Sequence, residues 1–364
     1  MEPSQPGTGI VPTRRPLPVL GFDGRPGLAD IDGRAMRDLR ISVTDRCNFR
    51  CTYCMPSEVF GRDYAFLPRS AVLTFEEIAR VSRVAVSLGV EKLRITGGEP
   101  LVRRDLPVLV RMLAALHTTD GRPLDLTLTT NGSALRAQAR ALAEAGLQRV
   151  TVSLDSLDDA VFRRMNGVEF PVDRVLDGID AAIEAGLSPI KVNVVIKRGL
   201  NEASIVPMAR WGRETGITVR FIEYMDVGHT NGWRLDDVVP AREIVAAIDR
   251  ELPLEPIEAG YRGEVAERWR FLDGAGEVGV IASVSQPFCG DCTRARLSAD
   301  GMLYTCLFAT EGHDLRPLLR GGSTDDDLAA AVAAIWRRRD DRYSELRSDA
   351  TADLPRAEMF ALGG

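Results

Sequence analysis

Short β-like runs alternate with helical stretches over most of the chain, and this alternation restricts the possible folds more than any other feature. The runs are 39–44, 92–96, 124–130, 149–155, 190–196 and 219–225. Helices are predicted at 75–88, 104–117, 134–145, 172–185, 201–215 and 240–251. At least five strand–helix alternations predict an α/β fold with a parallel sheet or barrel.

Several of these strands alternate apolar and polar residues, whereas strands buried on both faces are usually apolar throughout. The polar residues that share a face are Arg40, Ser42 and Thr44; Arg94 and Thr96; Thr127 and Thr129; Thr151, Ser153 and Asp155; and Lys191 and Asn193. If the faces converge, they enclose a polar, basic interior, and chemistry is expected at the C-terminal ends of the strands. The alternative is an open sheet with one solvated face.

The charge composition argues against some classes of function. The 364 residues carry 46 Lys and Arg against 52 Asp and Glu, which gives a net charge of −6. This balance argues against broad binding to nucleic acid or to a membrane surface, so an anion site must be a local basic cluster. No stretch approaches the roughly 18 apolar residues of a membrane span, and the N-terminus lacks an apolar signal segment, so we expect a cytoplasmic protein.

The chain divides into three regions by pattern. Residues 1–36 are rich in Pro and Gly and predict a flexible N-terminal arm. The strand–helix alternation occupies 37–230, and a more irregular C-terminal region follows at 231–364. In that region, Thr324 and three Asp residues open a predicted helix that ends at 337–339, a run of three Arg.

A hairpin is predicted at 294–306, where Asp300-Gly301 is a strong two-residue turn signal between strand-like arms. A two-residue loop would place Ala295 opposite Cys306. Cys292 and Cys306 would then lie close together although they are distant in the sequence.

The six cysteines fall into two groups of three. Cys47, Cys51 and Cys54 follow the first strand in a Cys-x3-Cys-x2-Cys loop. Three thiolates so spaced can wrap a cubane iron-sulfur cluster and leave its fourth iron open to a substrate or cofactor. The alternatives are redox thiols or a zinc site, although structural zinc sites usually show paired Cys-x2-Cys units with four ligands.

The second group, Cys289, Cys292 and Cys306, has the form of another three-ligand cluster site. A zinc site with His313 as the fourth ligand fits the spacing equally well. Arg294 and Arg296 favour the cluster, because an open iron beside two guanidinium groups suits an anionic substrate. A surface or packing role is predicted for all three histidines, which are His117, His229 and His313.

A Gly97-Gly98-Glu99-Pro100 turn follows the second strand. Two glycines allow close approach of the backbone to a ligand, and the carboxylate with nearby carbonyls can receive an ammonium group. Alone, this tetrapeptide is more typical of an ordinary turn.

Together, the first cysteine loop and this turn resemble the signature motifs of the radical S-adenosylmethionine (SAM) superfamily. The resemblance implies a 4Fe-4S cluster whose unique iron chelates SAM, which is cleaved on reduction to a 5′-deoxyadenosyl radical. It also implies SAM contacts at Tyr53, Gly98, Glu99, Ser153 and Met225, with Tyr53 and Met225 near the adenine and Ser153 near the carboxylate.

Further motifs cover the chain from about residue 34 to its end: 38–42, 94–100, 128–132, 221–223, 288–296 and the terminal Gly363-Gly364. They resemble the GTP 3′,8-cyclase family of molybdenum cofactor biosynthesis (MoaA type). The resemblance implies an incomplete (β/α)6 barrel of the TIM type, with a C-terminal extension that holds a second 4Fe-4S cluster to which guanine binds. It places GTP against Arg40, Arg94, Thr129, Lys191, Arg294, Ala295 and Arg296, and inserts the Gly363-Gly364 tail into the cavity.

The implied reaction removes hydrogen from C3′ of GTP, after which the carbon radical attacks C8 to give 3′,8-cyclo-7,8-dihydro-GTP. The implied partners are an electron donor and the next enzyme, cyclic pyranopterin monophosphate synthase, and a homodimer is also considered. Two alternatives stay open: a peptide-modifying radical SAM maturase with an auxiliary cluster, and a non-catalytic iron-sulfur electron-transfer protein.

Overall fold

Six parallel strands form the centre of the computed structural model, which describes residues 27–228, 230–347 and 356–363. They are β1 (Asp38–Ser42), β2 (Lys92–Thr96), β3 (Asp125–Thr130), β4 (Arg149–Ser153), β5 (Lys191–Ile196) and β6 (Thr218–Glu223). Their spatial order is their order along the chain, so each pairs with the next in parallel. The predicted incomplete α/β barrel is confirmed.

Strands from the last third of the chain extend the sheet beyond both of its edges. They are β7 (Leu254–Ile257), β8 (Glu267–Phe271), β9 (Glu277–Ile281), β10 (Arg294–Leu297), β11 (Met302–Tyr304) and β12 (His313–Asp314). β9 pairs in parallel with β6, and β10 pairs in parallel with β1. The sheet is therefore continuous, and the domain boundary expected near residue 230 stays a prediction.

Helices pack around the strands. They are α1 (Phe75–Ser87), α2 (Leu106–Ala114), α3 (Leu135–Glu144), α4 (Asp159–Asn166), α5 (Val172–Glu184), α6 (Ile205–Thr215), α7 (Ala241–Asp249), α8 (Arg316–Arg320), α9 (Asp325–Arg337), α10 (Tyr343–Leu346) and α11 (Met359–Leu362). α1 begins with the predicted capping box of Thr74 and Glu77, and α9 with one of Thr324 and Asp327. No helix of the described residues is long and apolar enough to cross a membrane.

The hairpin of β10 and β11 forms, but its register differs from the prediction by one residue. Arg296 pairs with Tyr304 and Leu297 with Leu303, and Ser298 N donates to Met302 O at 2.9 Å. The loop therefore has one residue more than the Asp300-Gly301 pair predicts. Extended along the chain, this register puts Cys306 level with Arg294, and the prediction that Ala295 lies opposite Cys306 is wrong.

The last part of the predicted arm is packed against the protein. Leu28 and Met36 are 6% and 1% exposed, and Leu28 N donates to Leu88 O at 3.1 Å. These apolar side chains bury surface that a free arm would leave in water, so the flexible arm expected over 1–36 is contradicted for 27–36. Residues 1–26 lie outside the described residues.

Candidate functional site

A cavity of about 640 Å³ lies inside the partial barrel, between the two cysteine triads. All six cysteines line it, together with polar side chains from the six central strands. The polar residues that converge there are Arg40, Arg94, Thr96, Thr127, Thr129, Thr151, Ser153, Asp155, Lys191 and Asn193. The expected polar, basic interior is therefore present in the described structure.

The first cysteine triad lies in a loop that follows β1 and is held by Arg50. The Arg50 guanidinium donates to the carbonyls of Cys47 at 2.8 Å, Phe49 at 2.7 Å and Phe60 at 2.6 Å. The backbone turns back on itself where Cys54 N donates to Cys51 O at 3.0 Å. One side chain therefore shapes the loop that presents three thiols to the cavity.

Burial raises the pKa of each thiol in this first triad. The pKa of Cys47 rises to about 12, from burial and then from the Glu99 charge. Burial raises the pKa values of Cys51 and Cys54 as well, and each is raised further by the charge of a neighbouring cysteine of the triad. Three free thiols that resist ionisation need a strongly positive centre to become thiolates, which is what an iron cluster supplies.

The side-chain geometry does not fit a single metal ion. Among the described residues, no three His, Cys, Asp or Glu side chains come close enough to share one ion. Neither described cysteine triad forms such a group, with or without His313, which is exposed on β12. A four-iron cluster separates its thiolates more widely than one zinc ion does, so the triads fit a cluster better than the zinc alternative.

The Gly97-Gly98 pair lets β2 pass close to the first cysteine loop. A Cβ on Gly97 would lie 2.6 Å from Thr44 O, and one on Gly98 would lie 2.3 Å from Arg46 O. Gly98 N donates to Thr44 O at 2.7 Å. The close approach is therefore to the cysteine loop, while Gly98 also lines the cavity.

Glu99 is almost fully buried beside this turn. Its carboxylate accepts hydrogen bonds from Leu101 N at 2.9 Å, Thr130 Oγ1 at 2.6 Å and Asn131 N at 2.7 Å. Burial raises its pKa to about 7, although these donors lower it in part. Glu99 thus links the ends of β2 and β3 and also lines the cavity. Its two oxygens have lone-pair capacity beyond the three hydrogen bonds that they accept.

The other predicted SAM contacts also line the cavity: Tyr53, Ser153 and Met225. Tyr53 Oη donates to Asp155 Oδ2 at 2.8 Å. Asp155 Oδ1 in turn accepts from Val195 N at 2.9 Å. Asp155 thus fixes the ring of Tyr53 against the ends of β4 and β5.

The second cysteine triad lies beside Arg294, whose Nε and Nη2 donate to Cys292 Sγ at 3.4 Å and 3.2 Å. Burial alone would raise the pKa of Cys292, but the charges of Arg294 and Arg339 lower it to about 6. Burial raises the pKa of Cys306 to about 12. Arg294 therefore contacts the cysteine directly, whereas the family resemblance places it against GTP.

Three guanidinium groups lie side by side across β10, β1 and β2. Arg40 is the register partner of both Arg296 and Arg94, and partners on neighbouring strands are about 4.8 Å apart. The Nε–H groups of Arg40 and Arg94 are buried without a hydrogen-bond partner in the described structure. Burial lowers the pKa of Arg40, and the Arg296 and Arg94 charges lower it further. An anion would satisfy these donors and relieve the repulsion.

Lys191 and Arg220 continue this basic wall on β5 and β6. Burial lowers the pKa of Lys191, and the Arg220 charge adds to the effect. Burial likewise lowers the pKa of Arg220 to about 9, with a contribution from Arg94. On β3, Thr129 Oγ1 accepts from Arg94 Nη1 at 3.1 Å. We call Arg40, Arg94, Lys191 and Arg220 the basic wall.

Sequence reasoning missed Arg220. Its signal was present, because Thr218, Arg220 and Ile222 alternate with buried residues along β6 as Lys191 and Asn193 do along β5. Lys92 and Arg149 at the starts of β2 and β4 also line the cavity without having been singled out.

The described end of the chain lies against the cavity, which Met359 and Phe360 line. Arg296 Nη1 donates to Gly363 O at 2.6 Å and to Leu362 O at 3.2 Å. Gly363 has a φ of +69°, and a Cβ there would lie 2.0 Å from Thr96 Cγ2, so only glycine fits. Arg296 therefore binds the tail. Gly364 lies outside the described residues. Ala295, the neighbour of Arg296 on β10, is fully buried.

The histidines take no part in the described site. His117 and His313 are exposed and do not line the cavity, and His229 lies outside the described residues.

Two family models match the chain. The model of the Radical SAM superfamily matches residues 41–212, which contain the first cysteine triad and two residues of the basic wall, Arg94 and Lys191. The model described as Molybdenum Cofactor Synthesis C matches residues 217–345, which contain the second triad.

Curated relatives match most of the chain. A GTP 3′,8-cyclase of Acidothermus cellulolyticus is 56% identical over 325 residues, which cover 88% of this chain and 89% of the relative. A GTP 3′,8-cyclase of Xanthomonas campestris is 49% identical and covers 93% and 97%. One from Staphylococcus aureus is also 49% identical and covers 88% and 93%.

Solved structures resemble the fold at low sequence identity. The chain matches Streptococcus suis SuiB bound to S-adenosylmethionine with a TM-score of 0.58 at 16% identity, covering 87% of this chain and 69% of that one. It matches anSMEcpe with bound AdoMet and a peptide with a TM-score of 0.51 at 13% identity, covering 87% of both. At these identities the likeness shows the shared fold alone.

Proposed function

We propose, since the chain belongs to the GTP 3′,8-cyclase family of the radical SAM superfamily, that its cavity holds GTP between two 4Fe-4S clusters. When bound, the first cluster and SAM supply the radical that removes hydrogen from C3′ of GTP and leads to 3′,8-cyclo-7,8-dihydro-GTP. The observation that supports the assignment of residues is the basic wall, which lines the same cavity as the two cysteine triads.

At the first cluster, Cys47, Cys51 and Cys54 are the iron ligands. Three ligands for four irons leave one iron for the amino and carboxylate groups of SAM. Tyr53, Gly98, Glu99, Ser153 and Met225 line the neighbouring surface and orient the cofactor. Glu99, with a pKa near 7, becomes the counter-ion of an ammonium group when it ionises.

The basic wall binds the triphosphate. Arg40, Arg94 and Arg220 each keep a buried Nε–H without a partner among the described residues, and Lys191 adds a fourth charge. Charge-assisted contacts to phosphate are worth about 1.5–3 kcal/mol each, so four of them fix the nucleotide strongly. Thr129 holds the Arg94 guanidinium in place.

Cys289, Cys292 and Cys306 are the ligands of the second cluster, and this cluster receives the guanine. Because Arg294 bonds Cys292 Sγ, it neutralises the cluster at the guanine end of the site. Arg296 reaches the triphosphate less directly, since its Nη1 already bonds Leu362 and Gly363. The tail, held at the Gly363 carbonyl by Arg296, lies beside the bound nucleotide.

The remaining partners are proposals. An electron donor must reduce the first cluster, and the product requires a further enzyme, which we propose to be cyclic pyranopterin monophosphate synthase. A cytoplasmic location is supported by six free thiols, which suit a reducing compartment. A homodimer stays a prediction.

One experiment tests the proposal. The reconstituted protein is incubated without oxygen with SAM, dithionite and either GTP, ATP or a peptide, and 5′-deoxyadenosine and nucleotide products are measured. We expect 5′-deoxyadenosine and a cyclised nucleotide in stoichiometric amounts with GTP. Equal 5′-deoxyadenosine yields with all three additions, without a cyclised product, would refute it and favour a different radical SAM substrate.

A further inference from the structure

A buried network of three charged side chains lies behind the loop of the second cysteine triad. Arg34 Nε donates to Asp30 Oδ2 at 2.6 Å, and Arg339 Nη1 donates to the same oxygen at 3.2 Å. The side chains of Asp30, Arg34 and Arg339 are 0%, 0% and 1% exposed. We call these residues the Asp30–Arg34–Arg339 network; it joins the segment before β1 to the end of α9.

Both guanidinium groups continue from Asp30 to the cysteine loop. Arg34 Nη1 donates to the carbonyl of Cys289 at 3.0 Å, and Arg339 Nη1 donates to the carbonyl of Cys292 at 2.7 Å. The two ligand residues of the Cys-x2-Cys unit are thus each held by one arginine. Both bonds fix the backbone of the loop, not the sulfur atoms.

The network is itself fixed by its surroundings. Trp336 Nε1 donates to Arg34 O at 3.0 Å, and the Arg339 guanidinium lies 4.6 Å above the Trp336 ring. Asp30 Oδ1 accepts from Arg34 N at 2.8 Å and from Asp32 N at 3.0 Å. Removing charged groups from water is costly, so a fold that buries three of them beside a ligand loop uses them for precise placement.

We propose that Asp30, Arg34 and Arg339 are positioning residues that hold Cys289 and Cys292 for the second cluster and set its reduction potential. Three carboxylates face the two guanidinium groups: Asp30 contacts both, Asp32 lies 3.3 Å from Arg34 Nη2, and Asp341 lies 3.5 Å from Arg339 Nε. Only the guanidinium groups bond the carbonyls of Cys289 and Cys292, so within the network the positive charges lie nearest the cluster loop. Reduction adds an electron to the cluster, so a positive charge nearby stabilises the reduced form and raises the potential. Hydrogen bonds to the ligands of a metal centre also shift its reduction potential.

This proposal rests on the second cluster of the proposed function but requires no substrate. Its readout is the midpoint potential of each cluster, followed by electron paramagnetic resonance during redox titration without SAM or GTP. The first cluster is the internal reference for folding. Failure of the cyclase assay would therefore leave this test unaffected.

The decisive comparison uses changes of opposite charge. Arg339→Gln removes a positive charge and should make the second cluster at least tenfold harder to reduce, a fall of about 59 mV for a one-electron couple. Asp30→Asn removes the negative charge of the network and should raise the potential. A merely structural network predicts instead that both variants loosen the loop and shift the potential in the same direction.

Two further variants complete the test. Arg339→Lys keeps the charge and should retain most of the parent potential, which also covers the case in which Arg339→Gln fails to fold. Arg338→Gln removes an exposed arginine next in the chain and should change nothing. The proposal is overturned if Arg339→Lys and Arg339→Gln shift the potential equally, or if Asp30→Asn and Arg339→Gln shift it in the same direction.

Loss of iron to a chelator gives a second readout. We expect Arg34→Gln to lose the iron of the second cluster at least tenfold faster than the parent, because the Cys289 carbonyl loses its donor. The iron of the first cluster should leave at the parent rate. Equal rates for the second cluster in the parent and in Arg34→Gln would contradict the positioning role.

Discussion

Arg40 and Arg94 are register partners on β1 and β2, and each keeps a buried Nε–H without a hydrogen-bond partner among the described residues. Two guanidinium groups so close together repel each other. Their arrangement is therefore stable only because the sheet holds it, and a polyanion would lower its energy.

Replacing Arg94 with Ala should weaken GTP binding about 10- to 100-fold, since one charge-assisted contact is worth about 1.5–3 kcal/mol. Isothermal titration of GTP and of guanosine measures the effect. Guanosine binding should change little, because it has no phosphate. Arg83→Ala, which removes an exposed arginine paired with Asp325, is the matched control. Equal losses of GTP and guanosine affinity would contradict a phosphate contact.

Arg220 should behave like Arg94, although sequence reasoning missed it despite its place in the alternation along β6. Arg220→Ala should weaken GTP binding by about one order of magnitude or more, while both clusters assemble with the parent iron content. Arg210→Ala removes an exposed arginine of α6 and should bind GTP as the parent does. Parent-like GTP affinity in Arg220→Ala would remove this residue from the basic wall.

The two cysteine triads should be separable by substitution. Cys51→Ala should abolish 5′-deoxyadenosine formation, because the cluster that binds SAM loses one of three ligands. Cys292→Ala should lose the GTP-derived product while some uncoupled SAM cleavage continues. Liquid chromatography with iron analysis measures both outcomes. If Cys292→Ala loses SAM cleavage as completely as Cys51→Ala, with its first cluster intact, the division of roles is wrong.

Glu99 should make stability depend on pH. Burial raises its pKa from 4.5 to about 7, so the folded chain holds a proton that the unfolded chain releases in this interval. The contribution of this carboxyl to the free energy of unfolding is complete below pH 4.5. It is lost as the pH rises through 7, and the loss is at most about 3 kcal/mol. Denaturant unfolding of the metal-free parent and Glu99→Gln at pH 5 and 7.5 measures it. The parent should lose more stability than the variant does. Glu144→Gln, on the exposed face of α3, is the control, and its free energy of unfolding should change with pH as that of the parent does.

Phe360 should hold the tail against the wall of the cavity by packing on Phe60. Its ring packs edge-on against Phe60, with centroids 5.0 Å apart, two residues before the Leu362 carbonyl that Arg296 binds. Phe360→Ala should loosen the tail, lower the product yield more than SAM cleavage, and speed hydrogen exchange at 356–363. Phe360→Leu should restore most of the coupling, since it refills much of the volume. Unchanged exchange in Phe360→Ala would show that the ring does not seat the tail.

Local patterns predicted the central strands well, because alternation and strand–helix spacing are properties of neighbouring residues. The cysteine loop and the Gly97-Gly98 turn were equally visible. Partners across the sheet were less accessible: Arg296 lies beside Arg40 because β10 joins β1, and it also bonds the carbonyl of Gly363 in the tail. The hairpin register was wrong by one residue because a turn motif does not specify how many residues the loop includes.

The segment before β1 shows the same limit. Its Gly and Pro content predicted an arm, yet Arg34 reaches the carbonyl of Cys289, 255 positions away in the sequence. Composition indicates how much apolar surface a segment can bury by itself. It does not indicate which distant parts of the chain pack against that segment.

The pairing of β10 with β1 and of β9 with β6 also sets the order in which the protein can be assembled on the ribosome. The six central strands can pair as they emerge, but both outer strands keep unsatisfied edges until the last third of the chain has been synthesised. The nascent protein therefore passes through a stage in which the cavity is open on both sides. Until that stage, the free edges of β1 and β6 are exposed to pairing with the strands of other chains.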